Sequence, residues 1–234
     1  MNATTVEAPD IDHARLMQAG KWPLYLVTDA QQCARQGRSI AHTVRLAVRG
    51  GVTAVQIRAK DVGVRDFLHH IEHVSSVIPE HVSFIINDRV DVFLAARELG
   101  FPVSGVHLGQ SDLPASVVRK IIGPQAFIGL SVREKAGIRA AEQDSARIDY
   151  LGIGPVFTTT TKHDVPSGLG VPHFAELVHN TSLPVVAIGG IRARDAQDLR
   201  RAGAQSLAVV SGLCDVPDPE KSAQEYLHEW EKAV

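Results

Sequence analysis

Short runs rich in β-branched and other apolar residues recur along the chain and predict strands. The eight runs are LYLVTD (24–29), AVQIR (54–58), SFIIND (83–88), GVHLG (105–109), FIGLSV (127–132), YLGIGPVF (150–157), PVVAIGG (184–190) and SLAVVSG (206–212). Runs of this length, ended by turn-forming residues, are typical of buried strands. Because each interval between runs leaves room for one helix, the pattern predicts alternating strands and helices around a parallel sheet.

Between these runs, apolar residues recur three or four positions apart, which is the period of an amphipathic helix. Clear examples are SIAHTVRLAVRGG (39–51), RVDVFLAARELG (89–100) and DAQDLRRAGA (195–204). Glycines close several such segments, a common signal for a helix C-terminus: Gly50, Gly100 and Gly203. The final stretch, PEKSAQEYLHEWEKAV, predicts a closing amphipathic helix.

Eight strand and helix units in a chain of 234 residues predict an α/β fold, a single-domain (β/α)8 TIM barrel. The rival is an open doubly wound sheet, which usually carries a GxGxxG turn after its first strand. Here the first strand leads into TDAQQCARQGRS, which lacks that turn. We therefore expect a barrel catalytic domain over residues 22–234, preceded by an N-terminal arm or extra helix over residues 1–21.

Composition narrows the classes of partner. A formal net charge of -2 offers no broad attraction to nucleic acid or to an anionic membrane, so any anion site must be local. No apolar run approaches the roughly 20 residues that span a bilayer, and the first residues do not have the pattern of a signal peptide. We expect a cytoplasmic protein that binds small phosphorylated molecules, with no nucleic acid and no membrane partner; a homo-oligomer is left open.

The stretch VQIRAK, residues 55–60, places polar residues on one face of a strand. Because side chains alternate along a strand, Gln56 and Arg58 should face the barrel mouth when Val55 and Ile57 pack beneath the helices. Arg58 is suited to a bidentate contact with phosphate, and Lys60 adds a compact cation. The alternative is a salt bridge between Arg58 and a neighbouring carboxylate that lines the barrel.

Acidic residues follow the next two strands. Asn87 and Asp88 end the third run, and Asp112 follows the fourth, where strand ends of a barrel carry its active site. Two carboxylates suit Mg²⁺, which takes one or two of them together with waters and substrate phosphate oxygens. The alternatives are that Asp88 pairs with Arg58, and that Asp112 caps the helix starting near Pro114.

The fifth and sixth runs contribute hydroxyl groups. Ser131 lies outside any GxSxG turn and is interpreted as a hydrogen-bond donor or a plain barrel-lining serine. TTTTKHD, residues 158–164, offers four hydroxyls and Lys162, which together could surround an anion. The alternative is a loop that is merely solvated.

The last two runs end in glycine turns that suit a phosphate. Loops after strands seven and eight of such barrels often bind phosphate through backbone N–H groups. Gly189 and Gly190 follow the seventh strand, whereas Val210, Ser211 and Gly212 follow the eighth. The alternative is that the glycines serve only the turns. With the cationic and acidic residues opposite, one barrel mouth would hold two anion sites.

The motifs VQIRAKD, INDRVDV, GVHLGQSDLP, GLSV, LGIGPVFTTTTKHD, IGGI and VVSG, in this order, resemble the thiamine phosphate synthases over nearly the whole barrel. The resemblance implies condensation of hydroxymethylpyrimidine pyrophosphate with hydroxyethylthiazole phosphate, giving thiamine phosphate and pyrophosphate. It also implies a Mg²⁺-assisted transferase whose pyrimidine passes through a carbocation-like intermediate.

Site residues are implied by the same resemblance. The pyrimidine pyrophosphate would contact Gln56, Arg58, Lys60 and Asn87; Asp88 and Asp112 would hold Mg²⁺. Ser131 and Lys162 would face the pyrophosphate or the pyrimidine cation and, with Arg58 and Lys60, form the catalytic set. The thiazole phosphate would contact Thr159, Thr161, Gly190, Val210 and Ser211. The rival functions are a tautomerase-type isomerase that uses the phosphate site alone, and a regulatory barrel that binds without turnover.

Overall fold

The computed structural model describes residues 22–59, 62–159 and 167–233, and these contain a closed barrel of eight parallel strands. The strands are β1 Leu24–Val27, β2 Ala54–Ile57, β3 Ser83–Asn87, β4 Gly105–Leu108, β5 Phe127–Val132, β6 Tyr150–Ile153, β7 Val185–Ile188 and β8 Ser206–Val209. Each strand pairs with the next, and β8 pairs with β1, which closes the ring. The predicted (β/α)8 fold is confirmed, whereas the N-terminal arm predicted over residues 1–21 lies outside the described residues.

Helices connect the strands around the outside of the ring. They are α1 Ala30–Arg35, α2 Ile40–Arg49, α3 Val64–Ser75, α4 Val90–Glu98, α5 Ala115–Ile122, α6 Lys135–Gln143, α7 Gly170–Val178, α8 Ala196–Arg201, α9 Ser211–Cys214 and α10 Pro219–Glu231, with a 3-10 turn at Ala193–Asp195. The last of them, α10, is the closing helix that the sequence predicts. Among the helices described, none is long and apolar enough to cross a membrane.

Two strand predictions run three or more residues too far. The run that begins at Tyr150 leaves the sheet after Ile153, because Pro155 has no N–H with which to continue the ladder. The run that begins at Ser206 leaves it after Val209, and Ser211 already opens the short helix α9.

The predicted helix-ending glycines do follow their helices, but one of them does so in an ordinary backbone conformation. Gly100 and Gly203 do follow α4 and α8 in the left-handed region, with φ of 80° and 97°. After α2, however, Gly50 has a φ of -76° and it is Gly51, at 106°, that is left-handed. Gly50 is the C-cap of α2 and also allows a close approach, since a Cβ there would lie 2.4 Å from the carbonyl oxygen of Glu220 on α10.

Alternation along the strands creates two separate apolar regions. Leu24 and Leu26 of β1, like Val55 and Ile57 of β2, pack in the layer between sheet and helices. The intervening residues face inward, and the interior cluster is Trp22, Tyr25, Val27, Ala54, Ile85, Phe127, Tyr150, Val186 and Ala208. The predicted facing of VQIR is therefore confirmed.

Aromatic rings close the bottom of the barrel. The Trp22 ring lies just before β1, and its centroid is 4.9 Å from that of Phe127. It is 5.8 Å from the rings of both Tyr25 and Tyr150, which form the next layer upward. These rings fill the floor of the barrel, and the cavity formed by the described residues lies at the opposite end, above the C-terminal ends of the strands.

Candidate active site

A cavity of about 320 Å³ lies at the C-terminal ends of the strands. It brings together ten of the residues singled out from the sequence: Gln56, Arg58, Asn87, Asp88, Asp112, Ser131, Thr159, Gly190, Val210 and Ser211. Lys60, Thr161 and Lys162 lie outside the described residues. The described residues of the two expected anion sites thus line one continuous space, although they come from seven different strand ends.

Arg58 stands at the wall of this cavity beside a carboxylate that sequence reasoning missed. Its Nη1 lies 3.9 Å from Oδ2 of Asp29, and both side chains are largely buried. Asp29 also caps α1, because its Oδ1 accepts a hydrogen bond from the N–H of Gln32 at 3.0 Å. Within the described part of the chain, the carboxylate found within 4 Å of Arg58 is therefore Asp29 and not Asp88. Asp29 ends the first apolar run as Asp88 ends the third, and this position could have marked it in the sequence as a residue of the site.

Asp88 adopts a backbone conformation that non-glycine residues rarely take. Its φ is 62°, in the left-handed region, directly after the last residue of β3. Its N–H donates to the carbonyl of His107 on the neighbouring strand at 2.9 Å, which anchors the turn. Such outliers persist where the surroundings enforce them and concentrate at functional sites. The turn places Asp88 on the cavity wall next to Asn87.

Asp112 has a structural partner, but it is not the predicted one. Its Oδ2 accepts a hydrogen bond from the N–H of Gly109, at 2.6 Å, and so tightens the turn after β4. The alternative that Asp112 caps the next helix is wrong, because α5 starts after Pro114 with no side-chain cap. The bond to Gly109 fixes one carboxylate oxygen, so the other oxygen of Asp112 remains as an acceptor in a side chain that lines the cavity.

A glycine turn forms the opposite wall. Gly189 and Gly190 follow β7 with φ of 99° and 67°, so both occupy the left-handed region. A Cβ on Gly190 would lie 2.6 Å from the carbonyl oxygen of Thr158, which shows how closely the turn packs against the loop after β6. The glycines are thus required by both backbone conformation and approach.

The short helix α9 completes this wall. It begins at Ser211, directly after Val210, and no side chain among the described residues caps it. The first N–H groups of a helix have no partners within the helix. Backbone N–H groups and glycines therefore converge at the ends of β7 and β8, the usual phosphate position in such barrels.

At the base of the cavity, four buried polar residues and the partly buried Ser131 form a continuous hydrogen-bonded chain across five strands. Nε2 of Gln56 donates to Oη of Tyr25 at 2.9 Å, and this hydroxyl is 3.0 Å from that of Tyr150. The Tyr150 hydroxyl is 3.0 Å from Nδ1 of His107, whose Nε2 is 2.9 Å from Oγ of Ser131. Only Gln56 and Ser131 were singled out from the sequence. His107 and both tyrosines were missed, although each occupies an inward position on its strand.

Two glycines make room for this chain. A Cβ on Gly129 would lie 2.1 Å from Cζ of Tyr150 and 2.5 Å from Nδ1 of His107. A Cβ on Gly152 would lie 3.0 Å from Cε1 of His107. Burial raises the pKa of both Tyr25 and Tyr150 well above that of a free tyrosine, so both hydroxyls keep their protons.

A larger cleft, of about 530 Å³, lies outside the barrel. It is formed by α1, α2 and α3 and is lined by cationic and imidazole side chains, among them Arg38, Arg45 and His70. None of its described lining residues is a carboxylate, and it lies away from the strand ends where barrels of this type carry their chemistry. The barrel mouth is the stronger candidate.

Comparison with known proteins agrees with this geometry. A family model described as thiamine monophosphate synthase matches residues 24–213. The chain is 43% identical over 205 residues to the thiamine-phosphate synthase of Vibrio parahaemolyticus, which covers 87% of this chain and 95% of that protein. It is also 43% identical over 216 residues to the thiamine-phosphate synthase of Albidiferax ferrireducens, covering 92% and 93%.

A solved structure extends the likeness to three dimensions. Thiamine phosphate pyrophosphorylase from Pyrococcus furiosus superposes with a TM-score of 0.79 at 31% identity, covering 93% of this chain and 99% of that one. The matched region contains every strand of the barrel and the described walls of the cavity. The chain therefore belongs to the thiamine monophosphate synthase family.

Proposed function

We propose that this protein condenses hydroxymethylpyrimidine pyrophosphate with hydroxyethylthiazole phosphate, releasing pyrophosphate and forming thiamine phosphate. The observation that carries the proposal is the pairing of two unlike anion sites in one cavity. Arg58 and two carboxylates lie at one end, and the glycine turn with α9 lies at the other. A reaction that joins a diphosphate to a monophosphate ester needs both ends, and the family relatives named above carry the corresponding name.

The pyrimidine pyrophosphate belongs at the end formed by β2, β3 and β5. There the Arg58 guanidinium supplies a fork of donors for phosphate oxygens, and Gln56, Asn87 and Ser131 supply neutral hydrogen-bonding groups. Lys60 and Lys162 are proposed to add positive charge at the same end. The thiazole phosphate belongs opposite, against Gly190, Val210 and Ser211, with hydroxyls from Thr159 and Thr161.

Asp88 and Asp112 are proposed to hold Mg²⁺. Their chemistry fits, because both carboxylates line the same cavity. The described residues contain no cluster of three or more metal-binding side chains, so the protein would supply two ligands there. A site with two carboxylates is incomplete for most metals, but it suits Mg²⁺, which prefers to retain waters and share substrate phosphate oxygens. When bound, Mg²⁺ would neutralise charge on the departing pyrophosphate.

The proposed chemistry needs no nucleophilic side chain. The bond between the pyrimidine methylene carbon and the pyrophosphate oxygen breaks, and its electron pair leaves with pyrophosphate. The resulting carbocation-like pyrimidine is captured by the lone pair of the thiazole nitrogen, which forms the new carbon–nitrogen bond. Arg58 would stabilise charge that grows on the leaving oxygens, and the rigid barrel mouth would align the two reactants.

The test uses one substitution at each end of the cavity. Asp112→Asn keeps the size of the side chain but removes its charge, and it should abolish Mg²⁺-dependent formation of thiamine phosphate. Gly190→Ala should raise the KM for the thiazole phosphate by about tenfold or more, because its methyl group would force the turn away from the Thr158 carbonyl and disturb one charged hydrogen bond. The KM for the pyrimidine pyrophosphate should change little in Gly190→Ala.

Matched controls exist elsewhere on the surface and helices. Asp198→Asn alters an exposed aspartate on α8, and Gly137→Ala alters a glycine within α6; both should retain normal kinetics. Full Mg²⁺-dependent activity in Asp112→Asn would remove that residue from the metal site. Equal effects of Gly190→Ala on both KM values would reject the two-ended arrangement.

A further inference from the structure

We propose that Tyr25, Tyr150 and His107 form a directional hydrogen-bond relay that presents Gln56 to the substrate as an acceptor and Ser131 as a donor. The relay is the buried chain beneath the cavity, and its three central members are positioning residues. The identity of the substrate in this inference rests on the proposed function, whereas the direction of the relay does not.

The direction follows from counting protons along the chain. Gln56 donates an N–H to the Tyr25 hydroxyl, so that hydroxyl is an acceptor on this side and has its own proton to give to Tyr150. Tyr150 must then give its proton to Nδ1 of His107. A neutral imidazole that accepts at Nδ1 carries its proton on Nε2 and therefore donates to Oγ of Ser131.

The consequence lies at the two ends of the relay. Ser131 accepts from His107, so the proton of its own hydroxyl is directed elsewhere, and Ser131 lines the cavity. The amide of Gln56 has used an N–H on Tyr25, so its Oε1 is the acceptor that it offers. The orientation of one end fixes that of the other, although the two side chains come from β2 and β5.

Other proton arrangements fit the chain less well. A His107 ring protonated at Nδ1, with or without a second proton on Nε2, would donate to the Tyr150 hydroxyl, whose own proton could then go within the relay only to Tyr25. The Tyr25 hydroxyl would then receive protons from both Gln56 and Tyr150, and its own proton would have no partner within the relay. Because Tyr25 is 1% exposed and Tyr150 is fully buried, an unpaired proton there would be costly.

The surroundings are shaped to keep this chain in place and dry. Gly129 and Gly152 lack the side chains that would displace Tyr150 and His107. Trp22 and Phe127 close the space beneath the tyrosines, which keeps water from competing for the hydroxyls. The relay is thus supported on the strands beside it and on the floor below.

The donor and acceptor ends select a class of ligand. The fragment bound above the relay must offer a hydrogen-bond donor to Oε1 of Gln56 and an acceptor to the Ser131 hydroxyl. An amino-substituted heteroaromatic ring that carries a diphosphate meets both requirements, with the amino group as donor and a ring nitrogen or phosphate oxygen as acceptor. A ring with a carbonyl group in place of the amino group would face Gln56 with two acceptors.

The test reads the tautomer of His107 directly in the protein without substrates. Protein labelled with ¹⁵N-histidine is examined by long-range ¹H–¹⁵N NMR, and the His107 signals are assigned by their loss in His107→Gln. The expected result is protonation at Nε2 and not at Nδ1. Protonation at Nδ1, or at both nitrogens, in the wild-type protein would overturn the relay whatever the enzyme's activity proves to be.

A remote substitution tests whether the residues act as one unit. The variant is Gln56→Glu, studied at a pH at which ¹³C chemical shifts show that the introduced carboxyl group is ionised. This carboxylate can accept hydrogen bonds but cannot donate one. Tyr25 must then donate to it, each later bond reverses, and the His107 proton should move to Nδ1. In Gln56→Glu combined with Tyr25→Phe, the chain is cut and the tautomer should stay at Nε2. An unchanged tautomer in the single variant would contradict the coupling.

Kinetics supply a second readout with a matched control. Tyr150→Phe should raise the KM for the pyrimidine pyrophosphate by about threefold to tenfold, the effect of one disturbed hydrogen bond, without changing the KM for the thiazole phosphate. Tyr226→Phe removes another buried hydroxyl, one that donates to the carbonyl of Ile191 at 2.8 Å, and it should leave both the His107 tautomer and the pyrimidine KM unchanged. Equal effects of the two substitutions on these readouts would indicate a general loss of packing and reject the relay.

Discussion

Gly129 is a residue at which a single added methyl group should be costly. It lies on β5 facing into the barrel, where a Cβ would be 2.1 Å from Cζ and 2.4 Å from Oη of Tyr150. The same Cβ would be 2.5 Å from Nδ1 of His107, so it would enter the hydrogen bond that joins these two side chains. Tyr150 cannot retreat easily, because the rings of Tyr25 and Trp22 pack beneath it.

The expected cost of Gly129→Ala has two parts. Overpacking a filled core by one methyl group costs about 1 to 3 kcal/mol. A buried hydrogen-bonding group that loses its partner costs about 1 to 3 kcal/mol more. The free energy of unfolding should therefore fall by about 2 to 6 kcal/mol, which is a large share of the total for a typical domain.

The assay is equilibrium unfolding in urea, followed by circular dichroism and by the fluorescence of the two buried tryptophans, Trp22 and Trp230. Gly129→Ala should lower the urea midpoint by about 1 M or more. Gly137→Ala is the matched control on helix α6, where the new Cβ would meet Val132 at an ordinary 3.6 Å. That control should gain up to about 1 kcal/mol from helix propensity. A Gly129→Ala protein as stable as the wild type would refute the crowding argument.

Two other predictions concern stability. Arg119 donates to Asp149 at 2.9 Å and to four backbone carbonyls in two loops, so Arg119→Ala should cost about 3 to 5 kcal/mol in urea unfolding by stranding a largely buried carboxylate. A loss below about 1 kcal/mol would contradict this. The backbone N–H of Ser182 lowers the pKa of Glu142, so this side chain stabilises the fold above the ordinary carboxyl pKa and the benefit fades as pH falls through the lowered pKa. Unfolding midpoints of the wild type and Glu142→Gln should therefore differ near neutral pH and converge in acid, and a constant difference would rule out this origin.

The fold could be predicted because its signals are local. Each strand is predicted by its own apolar run. The inward orientation of Gln56 follows from the alternation of side chains along its strand. The ends of elements were less certain. Gly50 does end its helix as predicted, but its lack of a side chain is also required by the close approach of the distant α10, which no local pattern reveals.

The candidate site was only partly predictable for the same reason. Asp112 looked like a helix cap because Pro114 and an amphipathic run follow it, yet its carboxylate bonds backwards to Gly109. The contact between Arg58 and Asp29 joins neighbouring strands that lie far apart in sequence.

The relay shows most clearly which contacts cannot be predicted from the sequence. Tyr25 and Tyr150 are 125 residues apart, and His107 and Tyr150 are 43 apart. No spacing in the sequence distinguishes an inward tyrosine that only fills the barrel from one that extends a hydrogen-bonded chain. Barrel closure brings these side chains together, and glycines on the adjoining strands leave the room that the contacts require.

The most direct measurement of the central claim is turnover by the purified protein. It is incubated with hydroxymethylpyrimidine pyrophosphate, hydroxyethylthiazole phosphate and Mg²⁺, and both products are followed by mass spectrometry. The account predicts thiamine phosphate and pyrophosphate in equal amounts, and neither product when either substrate is left out. Binding of the phosphorylated compounds with no thiamine phosphate formed at any protein concentration would contradict it.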